Sequence, residues 1–236
     1  MKDSKGRKVL VLLSGGIDSS TLLAQAVSIF GKEAVFALNI HYGQKHIIEL
    51  KAAADVAKYY GVDYKVMDLS GVFKYSNSPL LVHSDRAIKH QSYAEQLDEL
   101  GGSGTVDTYV PFRNGLMISA ATSYALSVGA DTVFYGAHKD DAAGRAYPDC
   151  TIDFSEAMCR AVIEGTGGEI VLESPFIHYN KAAIVALGLE LMVPYELTWS
   201  CYEGKASPCG KCGTCIDREN AFRLNKKTDP ALKFSL

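Results

Sequence analysis

Five consecutive apolar residues, Val9-Leu10-Val11-Leu12-Leu13, run straight into Ser14-Gly15-Gly16-Ile17-Asp18-Ser19-Ser20. A strand with no polar side is buried on both faces, as in a parallel sheet covered by helices. Paired glycines at its end let the backbone turn sharply and approach a ligand, because glycine takes positive φ and carries no Cβ. Thr21-Leu22-Leu23-Ala24-Gln25-Ala26-Val27 then reads as a helix, so backbone N–H groups at its start can face an anion held in the turn. The hydroxyls of Ser14, Ser19 and Ser20 add donors. The loop is not a Walker A sequence, since no Lys follows the glycines, and the third glycine of the dinucleotide fingerprint is missing. A plain strand-to-helix turn capped by Asp18 or Ser19 is the competing reading. An Asp and three Ser packed around two glycines favour a phosphate site.

Strand and helix patterns alternate along the rest of the chain. Strands are predicted at residues 34–40, 64–69, 132–135 and 170–172, with a short one at 108–110. Helices are predicted at 47–60, stopped by Gly61, and at 115–128, 154–164, 181–191 and 216–224. The fold class is α/β, a doubly wound and mostly parallel sheet forming a single domain over 1–236. The 236 residues, 47% of them hydrophobic, suffice for its core. Periodicity fails over 70–107, which contains Gly101-Gly102-Ser103-Gly104; so long a stretch inside a compact domain is a lid or binding insertion. In such sheets ligands sit at the carboxyl ends of the strands.

A formal net charge of −3 offers no general attraction to nucleic acid or to an anionic membrane. The charged start, residues 1–8, and the shortness of every apolar run argue against a signal peptide or a membrane span, and predict a cytoplasmic protein. Four of the six cysteines, Cys201, Cys209, Cys212 and Cys215, crowd into fifteen residues as C-x7-C-x2-C-x2-C. Four thiolates at that spacing close a tetrahedral site whose default ion is Zn²⁺ in a structural role, over 198–224, with an iron–sulfur cluster as the chemical alternative. Lys211 and Arg218 nearby could temper the negative charge of that site, although as solvated surface residues they would need no such explanation. Cys150 and Cys159 read as small core residues.

Other polar loops offer further groups. His41-Tyr42-Gly43-Gln44-Lys45-His46 follows the second strand, Arg113 could hold a carboxylate or phosphate in a bidentate pair, and Asp140-Asp141 follow the strand ending at Tyr135.

The string Ser14 to Ser19 resembles the SGGxDS motif of the PP-loop enzymes, the adenine nucleotide alpha hydrolase-like fold, which cleave ATP at the α-phosphate. Added to it are Tyr42-Gly43-Gln44 with His46 and Glu49, Val110-Pro111-Phe112-Arg113-Asn114-Gly115, Asp140, Tyr147-Pro148-Asp149-Cys150, Ser174-Pro175-Phe176 with Lys181, and Thr198-Trp199-Ser200-Cys201-Tyr202 leading into the other cysteines. Together they resemble the 7-cyano-7-deazaguanine synthase family over nearly the whole chain. Residues Ala142 to Ala146 depart from the pattern, where some relatives are shorter.

The resemblance implies a ligase that uses ATP, Mg²⁺ and ammonia to turn 7-carboxy-7-deazaguanine into 7-cyano-7-deazaguanine through an amide, in queuosine biosynthesis. It implies ATP contacts at Leu13, Ser14, Gly15, Gly16, Ile17, Asp18, Ser19, Ser20, Thr21, Leu22 and Leu23, and catalytic roles for Ser14, Asp18, Ser19 and Lys181. Gln44, Arg113, Asp140 and Asp149 would bind the base. Zn²⁺ would sit on the four cysteines, and a homodimer without a nucleic-acid partner is expected. Free ammonia is the expected nitrogen donor, since no glutaminase segment is legible. The alternatives are an enzyme that stops at the amide, a PP-loop tRNA thiolase, and a zinc-stabilised nucleotide-binding regulator.

Overall fold

Val9 and Val11 of the first strand, β1 (Val9–Leu12), pack into one apolar cluster while Leu10 packs into another on the opposite face. The computed structural model describes residues 6–231; the charged residues 1–5 and the last five, 232–236, lie outside the described part. From β1 the chain forms α1 (Ile17–Phe30), β2 (Val35–His41), α2 (Ile48–Tyr60) and β3 (Asp63–Asp68). It returns through α3 (Tyr93–Glu99) and α4 (Arg113–Val128) to β4 (Thr132–Phe134), α5 (Lys139–Ala142), α6 (Ile152–Gly165), β5 (Val171–Glu173), α7 (Lys181–Glu190) and α8 (Gly213–Leu224).

All pairings in the five-stranded sheet are parallel, in the order β3-β2-β1-β4-β5. The chain therefore builds outward from β1 to one edge and then restarts on β1's other side. The switch point between β1 and β4 opens a crevice at their carboxyl ends. Side chains of α1, α2, α7 and α8 cover the face carrying Val9 and Val11, and those of α4 and α6 cover the face carrying Leu10. This is the doubly wound arrangement expected from the alternating pattern.

Three local differences have physical causes. Residues 108–110 are not a strand: Tyr109 N–H bonds to the Val106 carbonyl (3.1 Å) and Arg113 N–H to that of Val110 (3.1 Å), making turns. Val110 packs instead with Tyr42, Phe73, Leu80 and Leu81. The 70–107 stretch has structure of its own, because Ser92 and Glu95 form a capping box that starts α3. Residues 142–146 brace it, with Gly104 N–H on the Gly144 carbonyl (2.9 Å) and Val106 N–H on that of Ala146 (3.2 Å).

Arg218 is buried, not solvated. Its Nε and Nη2 donate to the two oxygens of Asp229 (2.6 and 2.9 Å), while Nη1 donates to Thr198 Oγ1 (2.8 Å) and Ser200 Oγ (3.2 Å). This fork ties α8 to the strap that carries Trp199 and Cys201.

Candidate functional site

The loop after β1 is shaped by two close approaches. Gly15 has φ +88°, and a Cβ there would lie 2.6 Å from Ala53 N and 2.8 Å from the Glu49 carbonyl oxygen, so α2 can seat against the loop only because residue 15 is glycine. Trp199 N–H donates to the Gly15 carbonyl (2.9 Å) from the other side. Helix α1 starts four residues earlier than its apolar run suggests, with Gly16 as a cap that contributes no side-chain bond. Neither Asp18 nor Ser19 caps it. Ser19 Oγ instead accepts from the Ser14 and Gly15 N–H groups (3.1 and 3.2 Å) and lies 3.0 Å from Ser14 Oγ.

Asp18 faces away from the helix. Its Oδ2 accepts from Lys181 Nζ at 2.9 Å, and His138 Nε2 lies 3.7 Å from Oδ2 and 3.2 Å from Asp141 Oδ2. Burial alone would raise the Asp18 carboxyl; the charges of Lys181 and His138 outweigh it and hold the group well below the usual carboxylate range. Burial opposes the charge on Lys181 in the same way, yet Asp18 and Asp141 hold the ammonium above its ordinary value. Burial, aided by Asp141 and Asp140 against the pull of Lys181, pushes the Asp217 carboxyl up to about 6. Asp18 Oδ1 is buried and has no hydrogen-bond partner.

A cavity of about 220 Å³ extends from this pair, lined by Leu13, Ser14, Gly16, Ile17, Asp18, Ser19 and Lys181 at one end and by Tyr42, His46, Glu49, Tyr93, Arg113 and Tyr202 at the other. Arg113 Nη1 donates to Tyr42 Oη (3.3 Å), and its guanidinium lies 5.2 Å from the centre of the Tyr42 ring. Tyr93 and Tyr202 join through their hydroxyls at 2.7 Å. Tyr93 reaches the cavity from the 70–107 stretch and lies against Gly213, where a Cβ would be 2.8 Å from its ring.

Several expected contacts lie elsewhere. Gly15 and Ser20 do not line the cavity, and Leu22 and Leu23 are core residues. Thr21 Oγ1 donates to the Ile17 carbonyl (2.8 Å) beside Tyr195 Oη. Gln44 Oε1 accepts from Tyr42 N–H (2.9 Å) inside its own turn. Asp140 Oδ2 accepts the backbone N–H of Lys181 (2.8 Å), and Asp149 Oδ2 that of Asn114 (2.8 Å). Both carboxylates thus sit at helix starts, where an anion is favoured, and hold Lys181 and the Arg113 turn in place. Asp141, read in the sequence as half of an acidic pair, does line the cavity, whereas His138 and Tyr93 are not legible as site residues: one His and an aperiodic Tyr carry no local signal.

Cys201, Cys209, Cys212 and Cys215 have their sulfurs within 4.8 Å of one another, so they could hold a metal ion. Backbone N–H groups of Cys209, Lys211 and Cys212 point at the sulfurs of Cys201 and Cys209 (3.3–3.4 Å), which favours thiolates. The knot also shapes the cavity wall, because Tyr202 lines it and a Cβ at Gly204 would lie 2.9 Å from His46 Cα.

The chain is similar to known proteins along most of its length. Residues 8–226 match the family described as Queuosine biosynthesis protein QueC. The chain is 41% identical over 226 residues to a 7-cyano-7-deazaguanine synthase of Archaeoglobus fulgidus, covering 95% of this chain and 90% of that one. It is 40% identical over 227 residues to 7-cyano-7-deazaguanine synthase 1 of Colwellia psychrerythraea, covering 94% and 97%. Among solved structures, the U34-tRNA thiolase NcsA of Methanococcus maripaludis, with its [4Fe-4S] cluster, superposes with a TM-score of 0.51 at 14% identity over 96% of this chain and 69% of that one. The NMN synthetase of Francisella tularensis gives 0.51 at 16% over 97% and 82%. At such identities the likeness is one of fold. With four-tenths identity to the curated synthases along almost its full length, the chain belongs to the QueC family.

Proposed function

We propose that this protein is an ATP-dependent carbon–nitrogen ligase that converts 7-carboxy-7-deazaguanine and ammonia to 7-cyano-7-deazaguanine for queuosine biosynthesis. The observation that carries the reading is the single cavity that joins a serine-glycine loop and a buried Lys–Asp pair to an aromatic wall with an arginine. A carboxylate oxygen is a poor leaving group until it is bonded to phosphorus. The carboxylate attacks the α-phosphorus of ATP, pyrophosphate leaves, and ammonia displaces AMP to give the amide. The amide oxygen then attacks a second ATP in the same way, and loss of AMP and two protons from nitrogen leaves the nitrile.

Ser14, Ser19 and the start of α1 supply donors for the phosphates. Lys181, held charged by Asp18, stabilises the negative charge that grows on the transferring group. Arg113 and the tyrosines hold the planar base. The buried, unpartnered Asp18 Oδ1 suits a hydrated Mg²⁺, which when bound shares the phosphate charge. The four sulfurs suit one Zn²⁺, since zinc–sulfur bonds of about 2.3 Å put tetrahedral sulfurs about 3.8 Å apart and Cys209 Sγ and Cys215 Sγ are 4.0 Å apart. An iron–sulfur cluster would place its own irons and sulfides between the thiolates. The ion's role is to fix the Tyr202 wall. On the same reading the whole chain is one domain with the 70–107 stretch as a lid closing through Tyr93, and the enzyme works as a cytoplasmic homodimer on small molecules without binding nucleic acid. No helix among the described residues is long and apolar enough to cross a membrane.

Incubation with ATP, Mg²⁺, ammonium and 7-carboxy-7-deazaguanine should yield the nitrile and AMP by mass analysis, from protein containing one zinc per chain. Amide alone would mark an enzyme that stops halfway. Neither product would sink the assignment.

A further inference from the structure

Three carboxylates line the cavity: Asp18, Asp141 and Glu49. The first two belong to the cationic cluster at the phosphate end, Asp18 with Lys181 and Asp141 with His138. Glu49 stands apart in the first turn of α2. Its Oε2 is 2.8 Å from His46 Nε2, the side chain is only 14% exposed, and its Oε1 is left to face the cavity that Glu49 lines. A carboxylate so nearly enclosed is costly to keep without partners.

His46 is fastened with some care. Its ring is 5.5 Å from that of Tyr202, its Nε2 is 3.5 Å from Tyr42 Oη, and the strap at Gly204 presses on its backbone. Its other nitrogen, Nδ1, is buried without a partner. The charged group nearest this ring is the Glu49 carboxylate, at ion-pair distance. Imidazole thereby sets the direction of the carboxylate, at the aromatic end where a planar base would lie.

We propose that Glu49, oriented by His46, reads the donor edge of the base: N1–H and the 2-amino group donate to its two oxygens. This rests on the ligase reading above and adds to it the residue that selects an aminopyrimidinone ring. The fit is chemical. An ionised carboxylate is acceptor-only with about four lone-pair sites, so Oε2 can keep the His46 bond and still receive one donor while Oε1 takes the other. Neither Asp140 nor Asp149 lines the cavity; each accepts a helix N–H.

The test compares kcat/KM for 7-carboxy-7-deazaguanine and for its analogue lacking the 2-amino group, in the wild-type enzyme, Glu49→Gln, Glu49→Asp and His46→Ala. Hydrogen bonds to charged groups contribute about 1.5–3 kcal/mol, so the wild type should prefer the amino-bearing base by roughly 10- to 100-fold. In Glu49→Gln the ratio should fall to within about 3-fold, because the amide offers one accepting oxygen and sets its NH2 donor against the other N–H of the base, with KM for the base rising more than kcat falls. Glu49→Asp and His46→Ala should give intermediate ratios. A residue that only supports the fold would weaken turnover of both bases alike, so a wild-type ratio in Glu49→Gln or Glu49→Asp overturns the proposal. Equal turnover of the two bases by the wild type also overturns it, while leaving the ligase reading intact. A wild type that converts neither base overturns the ligase reading, and this proposal with it.

Discussion

On the role proposed for it, Lys181→Met should lower kcat/KM by at least about 100-fold, the cost of losing one preorganised charge donor at a reacting phosphate, with the metal content of the protein unchanged. Methionine keeps much of the volume of the lysine stem, so a simple packing loss does not account for such a drop. Its second consequence is a shift in pH dependence. In the native protein Asp18 is held below the usual carboxylate range by Lys181 and His138 acting against burial. A carboxylate depressed in this way adds stability above its unfolded value, and loses it as pH falls through the folded one. With the ammonium gone, burial dominates, the folded value rises toward or past the unfolded one, and the share of the acid loss of stability that Asp18 contributes shrinks, so the variant's melting temperature falls less steeply on acidification than the native protein's. Thermal melting of the two proteins between pH 3 and pH 8 checks this. Coincident acid limbs, or a catalytic loss of only a few-fold, would mean that Lys181 and Asp18 do not act as a charged pair.

Gly15→Ala should be nearly as damaging, for a steric reason. The new methyl would fall 2.6 Å from Ala53 N and 2.8 Å from the Glu49 carbonyl oxygen, in a backbone held at φ +88°. Left-handed strain and overpacking together cost about 2–5 kcal/mol, which predicts a fall in Tm of roughly 10 °C for a chain of this size. Because the obstruction pushes the loop off α2, the ATP-binding role proposed for it predicts that KM for ATP should rise well beyond what the stability loss explains. Melting curves and ATP titrations would show both, and a variant with wild-type Tm and KM would deny the close approach of loop and helix. Gly16→Ala is the contrasting change: its Cβ would meet Ser14 Oγ and the Trp199 carbonyl oxygen at 3.6 Å, an ordinary contact.

What could be read from the residues follows from how local the signals are. Leu10 between Val9 and Val11 signals a strand buried on both sides wherever the strand ends up, and Gly61 stops α2 at φ +65° through its own backbone freedom. The four cysteines announce their cluster by spacing alone. Long-range placement was not legible in the same way. Asp140 and Asp149 looked like ligands for the base, yet neither lines the cavity, and each accepts a helix N–H from a residue distant in sequence. Arg218 looked like surface because its partner, Asp229, lies beyond the motif that drew notice. Tyr93 sits in a segment without periodicity, and only the capping box at Ser92 and Glu95 could have revealed the helix that carries it. His138 and Asp141 acquire meaning only when β4 is laid beside β1, which brings them to Asp18.

The central claim is that one cavity brings the carboxylate of the base to the α-phosphorus of ATP. Turnover of 7-carboxy-7-deazaguanine carrying ¹⁸O in both carboxylate oxygens tests it most directly, with mass analysis of the nucleotide product. If both activations pass through an adenylate, each nitrile formed leaves two molecules of AMP, each with one ¹⁸O. Nitrile accompanied by AMP without label would contradict the account.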